Sequence, residues 1–454
     1  MPNVNKDIQE YVEEIEAYLQ GDYELSSWEI AKNLKAIRKQ DNELYLQYLE
    51  KFSHDVLGEI VLELPEHYLK EIIENIPSVK LSEAIEELES DDATDLIQDI
   101  EEIDEGKAQE ILSAIDIEDQ EDIKKLKRYD EQEAGAYMQT ELFKANYDEK
   151  VEDSIKRLRE LKLQGELENI HQLFIVGSLD RLFFSIDLED LITFDFNKIY
   201  RETIRENEEK YKPRYVRDDD NISEVVKLFE EYDLTVVPVV DYHGKLLGRI
   251  TSDDIYDIIQ ERATEQIYKL AGVDDDAEHE DGMVEAGKSR LSWLFVNLFT
   301  AIIASSVIGL FDKVINMYVA LAVLMPIVAS MGGNAGTQTL TIMVRQLALG
   351  KIDYSNAKNA IQKEMILSII NGLFFAVVIG LIAYFWFQQP KIGFIIAVSM
   401  LINLLCAGFF GAMIPLLLKR LGIDPAVGSS VFLTTVTDVV GFLSFLGLAT
   451  FFLT

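Results

Sequence analysis

Residues 314–344 read VINMYVALAVLMPIVASMGGNAGTQTLTIMV, a run of 31 positions without a charged side chain. A helix crosses the hydrocarbon of a bilayer in roughly 20 residues, so this stretch is long enough to span a membrane and to tilt or continue beyond it. It also carries Pro326, Gly332, Gly333 and Gly336, together with Asn334, Thr337 and Gln338. Proline removes a backbone donor, and glycines let backbones approach closely. Any carbonyl freed in a membrane must face protein or a water-filled cavity. Gly332 and Gly336 also form a GxxxG packing motif, so helix packing stands beside an ion pathway as a reading of this run.

Four more apolar segments flank it, at about 291–311, 365–388, 392–418 and 425–454, which makes five crossings. Arg345, Lys351, Lys358 and Lys363 lie between the second and third spans, and Lys419 with Arg420 between the fourth and fifth. By the positive-inside rule these loops are cytoplasmic, giving an N-terminus inside and a C-terminus outside the cytoplasmic membrane. The acidic start MPNVNKDIQEYVEEIE does not resemble a signal peptide.

From Leu291 onward the formal charge is near +3, whereas the preceding residues carry about −41 of the net −38. So acidic a surface repels nucleic acid and attracts cations. Cys406 is the only cysteine, which excludes an intrachain disulfide or a cysteine metal site.

Residues 1–135 read as an all-α, superhelical domain. Ile85, Leu88, Leu96, Ile97, Ile100 and Ile103 follow helical spacing, and the blocks starting LGEIVLEL (57), LSEAIEEL (81) and GKAQEILS (106) recur about every two dozen residues. Residues 136–258 change to two copies of helix, short strands and helix: VEDSIKRLRELK (151–162) with IHQLFIVGSLDRLFFSIDLEDLI (170–192), then ISEVVKLFEEYDLTVVPVVDYHGKLLGRITSDDIYDII (222–259). This order resembles a pair of CBS domains, an α/β module. The first copy has Ser178-Leu179-Asp180-Arg181 where a glycine-containing turn is usual. ATP binding, which the module implies, is therefore not expected of that half. A connecting helix and linker (259–288) lead to the membrane domain (289–454).

The fifth span holds one ionisable residue, Asp438, in VFLTTVTDVVGFL (431–443). A carboxylate at that depth costs about 2.5–3.5 kcal/mol on insertion scales and usually marks an ion or proton path. Thr434, Thr435 and Thr437 either satisfy it as neighbours or line the same path. No histidine follows position 279, so oxygen ligands dominate and suit Mg²⁺ better than imidazole-loving metals. One carboxylate half-neutralises a dication, and a two-fold axis would supply a second.

The acidic helical domain, the CBS pair, the linking helix, five spans, PIVASMGGNAGTQ (326–338), KRLGIDPA (419–426) and TVTD (435–438) together resemble the MgtE family of magnesium channels. The resemblance implies a multidomain membrane protein that forms homodimers in lipid, with a pore between second and fifth spans. Its pore aspartate corresponds to Asp438, and its backbone filter to the region of Gly333, Asn334 and Thr337; Thr434 falls where a small apolar residue can occur in the family. It implies also that intracellular Mg²⁺ bridges the N-terminal domain, the CBS pair and a connecting plug helix.

Candidate ligands for that second role are Asp253, Asp257, Glu261 and Glu265, spaced four residues apart in TSDDIYDIIQERATEQIYKL (251–270), together with Asp91, Asp92 and Asp95, and Asp424 at the inner mouth. Like charges at i,i+4 destabilise a helix by a few tenths of a kcal/mol per pair. Mg²⁺ would relieve that repulsion, and a solvated acidic surface is the alternative. No Walker, zincin or nucleophile–base motif is present, so an enzyme is not expected. A cation sensor and a transporter of Co²⁺, Ni²⁺ or Mn²⁺ remain as alternatives to a Mg²⁺ channel.

Overall fold

Short amphipathic segments separated by capping residues fold as a stack of helices. The computed structural model describes residues 8–165, 167, 169–273, 283–352 and 356–454. It divides into two units, 1–260 and 261–454. The middle of the expected linker, 274–282, lies outside the described residues.

In the first unit nine helices follow one another: α1 (Ile8–Leu19), α2 (Ser27–Arg38), α3 (Asn42–Leu49), α4 (His54–Leu62), α5 (Leu69–Asn75), α6 (Ser78–Glu86), α7 (Ser90–Ile103), α8 (Glu105–Ala114) and α9 (Ile117–Leu126). Their starts are chemically marked. Ser26 and Glu29 form a reciprocal capping box on α2, while Asp41 and Asp104 accept from the first-turn amides of α3 and α8. Helices α2, α4, α6 and α8 touch in succession, and so do α5, α7 and α9. Two rows of nearest-neighbour contacts define a superhelical array, the arrangement the two-dozen-residue recurrence predicts. Ile85, Leu96, Ile97 and Ile100 are buried in its core, with Leu88 and Ile103 packed against them.

Two α/β repeats follow. The first has β1 (Lys144–Asn146), α10 (Val151–Gln164), β2 (Gln172–Val176), β3 (Leu182–Asp187), α11 (Leu188–Leu191) and α12 (Tyr200–Ile204). The second has β4 (Val216–Arg217), α13 (Ile222–Tyr232), β5 (Val236–Val240), β6 (Leu246–Thr251) and α14 (Ser252–Ala271). Each sheet pairs its first strand parallel and its third antiparallel to the middle strand. Phe174 and Val176 of one repeat share a core with Val236 and Leu246 of the other. The hairpins also meet, with Leu182 N donating to Gly244 O at 3.0 Å. Gly244 turns with φ of +80°, whereas the first repeat places Leu179 and Asp180 at +62° and +55°. Non-glycine residues pay a steric cost there, which is the physical content of that repeat's departing turn. Helix α14 runs without a break through residue 258, so the expected domain edge falls inside one helix.

The second unit contains α15 (Met283–Gly309), α16 (Asp312–Met317), α17 (Val319–Ala348), α18 (Ala357–Phe387), α19 (Pro390–Arg420) and α20 (Ser429–Leu453). Five of these are long and apolar enough to cross a membrane, all except the short α16. Leu294, Phe295, Phe299, Phe374, Phe385 and many other large apolar side chains lie exposed on this unit. Such a surface is unfavourable in water and costs nothing against lipid tails.

Helix α17 continues through Pro326 and all three glycines as one element, so these residues shape packing rather than end the helix. A Cβ at Gly332 would sit 2.3 Å from Asn403 Nδ2 of α19, and that amide donates to Val328 O at 2.8 Å. At Gly411 of α19 a Cβ would come within 2.9 Å of Gly336 O and 3.0 Å of Thr339 Cβ. The packing reading of the glycines is thus correct, and it leaves the polar side chains on α17 to be explained separately. Because backbone cannot yield as a flexible side chain does, Gly411→Ala should cost about 1–3 kcal/mol. Gly447→Ala, where nothing lies within 4 Å, serves as the control. Thermal unfolding in mild detergent checks this: a lowered Tm is expected for the first variant and an unchanged one for the second.

Candidate functional site

Asp438 sits near the middle of α20, half-buried, and its carboxylate accepts no hydrogen bond among the described residues. The neighbouring hydroxyls are occupied elsewhere. Thr434 Oγ1 donates to Ser430 O (3.0 Å), Thr435 Oγ1 to Val431 O (2.7 Å) and Thr437 Oγ1 to Thr434 O (3.0 Å). A threonine that bonds back to its own helix has used its one donor. The bland alternative, an aspartate satisfied by its threonines, is therefore not what the fold builds.

Helix α17 lies against α20, with the Cβ position of Gly333 3.8 Å from Thr434 Cγ2. Gly333 and Thr434 are thus brought together. Asn334 and Thr337 lie instead on an exposed face of α17 that also carries Gln338 and Thr341. Asn334 Nδ2 reaches Ser330 Oγ at 3.3 Å. A polar stripe at hydrocarbon depth needs water or another protein surface opposite it.

Just before the start of α20, Asp424 Oδ1 accepts from Ala426 N at 2.9 Å and caps the turn into the helix. Its Oδ2 is 3.2 Å from Lys269 Nζ, and Lys269 also pairs with Glu265. Ser430 Oγ donates to Leu270 O at 3.2 Å, so the end of α14 is fastened beside α20. The sequence pattern marked Glu265 and Asp424 but not Lys269, the cation that joins them. An acidic stripe draws attention to repulsion, and the lysine one turn further on was its compensation.

In the first unit, Asp91 on α7 is buried to 6% exposure and its carboxyl is pushed well above the usual range. Burial is the main cause, followed by the charges of Asp254 and Asp92. Asp92 is raised to about 6 by desolvation and by Asp254, Asp253, Asp257 and Glu59. Asp254, which accepts from Thr251 N (3.1 Å) and Oγ1 (2.7 Å), is likewise raised to about 6, burial leading. The fold therefore gathers Asp91, Asp253 and Asp257 at one place. Asp95 lies one turn along α7 and is exposed, as is Glu261 on α14.

Asp254 was missed because the four-residue stripe selects Asp253 and Asp257. The T-x-x-D pattern of Thr251–Asp254 at the helix start was the readable signal. Glu89 also was missed. It is raised to about 7 by burial although Arg249 Nη2 lies 3.4 Å away. Arg249 is almost wholly buried and donates through Nε to Gln139 Oε1 at 3.0 Å and through Nη1 to Asn169 O at 3.3 Å. One guanidinium thereby ties α7's entry, the connecting segment and both repeats together.

These features define a class: a multi-pass membrane protein with a charged residue in its bundle and an acidic helical and CBS-type region attached. Comparison with known proteins sharpens this. Family models match at residues 325–448 (a divalent cation transporter domain, MgtE), 25–132 (the MgtE intracellular N domain) and 210–261 (a CBS domain). The magnesium transporter MgtE of Thermus thermophilus is 33% identical over 344 residues, which cover 75% of this chain and 74% of that protein. That of Enterococcus faecalis is 32% identical over 333 residues, covering 73% and 72%. A crystal structure of the cytosolic domain of the Mg²⁺ channel MgtE in complex with ATP aligns with TM-score 0.49 and 28% identity, over 55% of this chain and 98% of that one. The chain belongs to the MgtE family of magnesium transporters.

The raised carboxyls make the α7–α14 junction sensitive to pH in a definite direction. A group with a folded pKa above its unfolded value of about 4 binds extra protons in the folded state. The junction is therefore tightest below that value and loosens as pH rises through about 6 and about 7, where Asp92, Asp254 and Glu89 ionise. Hydrogen exchange on the full-length protein in metal-free buffer, corrected for intrinsic rate, should show protection of α7 and the first turns of α14 falling between about pH 5 and pH 8. Flat or rising protection would contradict this.

Proposed function

We propose that the chain moves Mg²⁺ across the cytoplasmic membrane by a path along α17 and α20, and that Asp438 is its charged point. The observation that carries the reading is the Asp438 carboxylate, placed in an apolar helix and without a donor among the described residues. Hard cations with tightly held water suit such a site, because a carboxylate and backbone or amide oxygens can hold a still-hydrated ion. Gly333 and Thr434 supply small surface where α17 meets α20, and Asn334 and Thr337 supply polar surface on the exposed face of α17. A homodimer would place two copies of Asp438 on one path and balance the dication, and it would cover the polar face of α17. Five crossings would set the two ends on opposite sides, and the Lys and Arg between the second and third and the fourth and fifth spans favour a cytoplasmic acidic region and an outer C-terminus.

Closure is the second part. At neutral pH the carboxylates of Asp92, Asp253, Asp254 and Asp257 repel one another beside the buried Asp91, and Mg²⁺ shared between α7 and α14 would replace the protons that hold them together in acid. A cation binding the compact state better than the open one shifts the population toward it. Glu261, Glu265, Asp95 and Asp424 extend the set of oxygen ligands. ATP, bound by the related cytosolic domain, is a candidate modulator at the second repeat, which keeps the glycine turn.

Flux into liposomes tests both parts. Asp438→Asn should fold and insert but lose Mg²⁺ uptake, and Asp438→Glu should retain little, since an added methylene moves the carboxylate off an octahedral shell. Uptake at the wild-type rate through Asp438→Asn would remove this residue from the path. Neutralising Asp91, Asp92, Asp253 and Asp257 together should leave uptake intact while weakening its inhibition by millimolar internal Mg²⁺. Unchanged inhibition would return these residues to the solvated surface. Competing Mn²⁺, Co²⁺ and Ni²⁺ in the same assay would show whether the path is selective.

A further inference from the structure

A second carboxylate lies within the helical bundle, away from α20. Glu364 sits two turns into α18 and is only 7% exposed. It borders a cavity of about 130 Å³ between α17, α18 and α19, with Gln338 and Thr339 of α17 and Ser368 and Asn371 of α18 along its wall. Leu404 of α19 closes one side. Thr339 Oγ1 donates to Glu364 Oε2 at 3.1 Å. Glu364 Oε1 and the side chains of Gln338, Ser368 and Asn371 make no hydrogen bond among the described residues.

The lining is chemically one-sided. It offers a carboxylate, two hydroxyls and two carboxamides, and no lysine, arginine or histidine. A buried carboxylate without a cationic partner must take up a cation or a proton. A proton would need only one acceptor and would leave the remaining oxygens idle. A buried carboxylate bonded to Thr339, with Ser368 beside it and the exposed carboxamides of Gln338 and Asn371 at the cavity rim, offers oxygen ligands only, and oxygen-only sets select hard ions. The single negative charge fully balances a monovalent ion, whereas Mg²⁺ would leave excess charge and demands a near-ideal octahedron. The volume admits a largely dehydrated ion with some water.

We propose that this cavity binds one alkali-metal cation, with Glu364 as its charged ligand and Thr339, Ser368, Gln338 and Asn371 as neutral ones. The bound ion ties α17, the helix of the glycine-rich motif, to α18. The site does not depend on Asp438 or on the transport reading.

The test is thermal unfolding of the full-length protein in mild detergent at fixed pH and ionic strength, with Na⁺ or K⁺ titrated against choline. A saturable upward shift of a few degrees is expected with Na⁺ or with K⁺, and the two arms identify the preferred ion. Glu364→Gln should abolish the shift, and Asp438→Asn should keep it. If Glu364→Gln fails to fold, Ser368→Ala with Asn371→Ala should raise the half-saturating concentration at least several-fold. Equal melting in Na⁺, K⁺ and choline would overturn the proposal. A Glu364-dependent shift produced by Mg²⁺ alone, or by acidification alone, would overturn it too, in favour of a divalent site or a proton.

Discussion

One constraint stands out in the membrane unit, the placing of a carboxyl group in an apolar helix where hydrocarbon cannot solvate its charge. Asp438 is carried on a helix whose own hydroxyls turn back to their carbonyls, so the protein declines to neutralise it. An apolar helix tolerates that arrangement only if solvent or an ion reaches the group. The close packing of α17, α19 and α20 follows from the same need. Glycines at 332 and 411 let the helices approach to backbone distance and fix where the polar residues of α17 face.

The acidic region reuses the idea in milder form. Its helices are held by an ordinary apolar core and by caps, and charge is concentrated where α7 meets α14. Protons remove the repulsion that the fold has gathered there, and in the proposed closure Mg²⁺ takes their place at neutral pH. Arg249 fixes the geometry of that meeting from below, and its burial explains why the junction is a defined place rather than a diffuse field.

Much of the architecture was legible in residue order. Five apolar runs, the two-dozen-residue recurrence and the paired strand–turn–strand pattern each correspond to elements of the structure, and family matches cover both ends. Side-chain direction was less legible. The glycines of α17 looked able to break the helix, but it runs whole, with Gly332 packed against Asn403 and Gly336 against Leu433. The stripe Asp253–Glu265 was a true helix face, yet the acid of α14 with the raised pKa is the half-buried Asp254, one position off that stripe, which accepts from Thr251. Arg249 and Glu364 were invisible as site residues because their partners are 25 or more residues away in sequence, and so was the link from Lys269 to Asp424, although its pairing with Glu265 lies within one helix. Periodicity reports neighbours along a helix and says nothing about the next one.

The central claim is that position 438 faces a water-filled cation path. With Cys406 replaced by alanine, Asp438→Cys would be the only thiol, and its reaction rate with a water-soluble methanethiosulfonate reagent can be measured in membranes with and without Mg²⁺. The account predicts a thiol that reacts readily and is slowed by millimolar Mg²⁺. A thiol that is inert in functional membranes, or one whose rate ignores Mg²⁺, would contradict it.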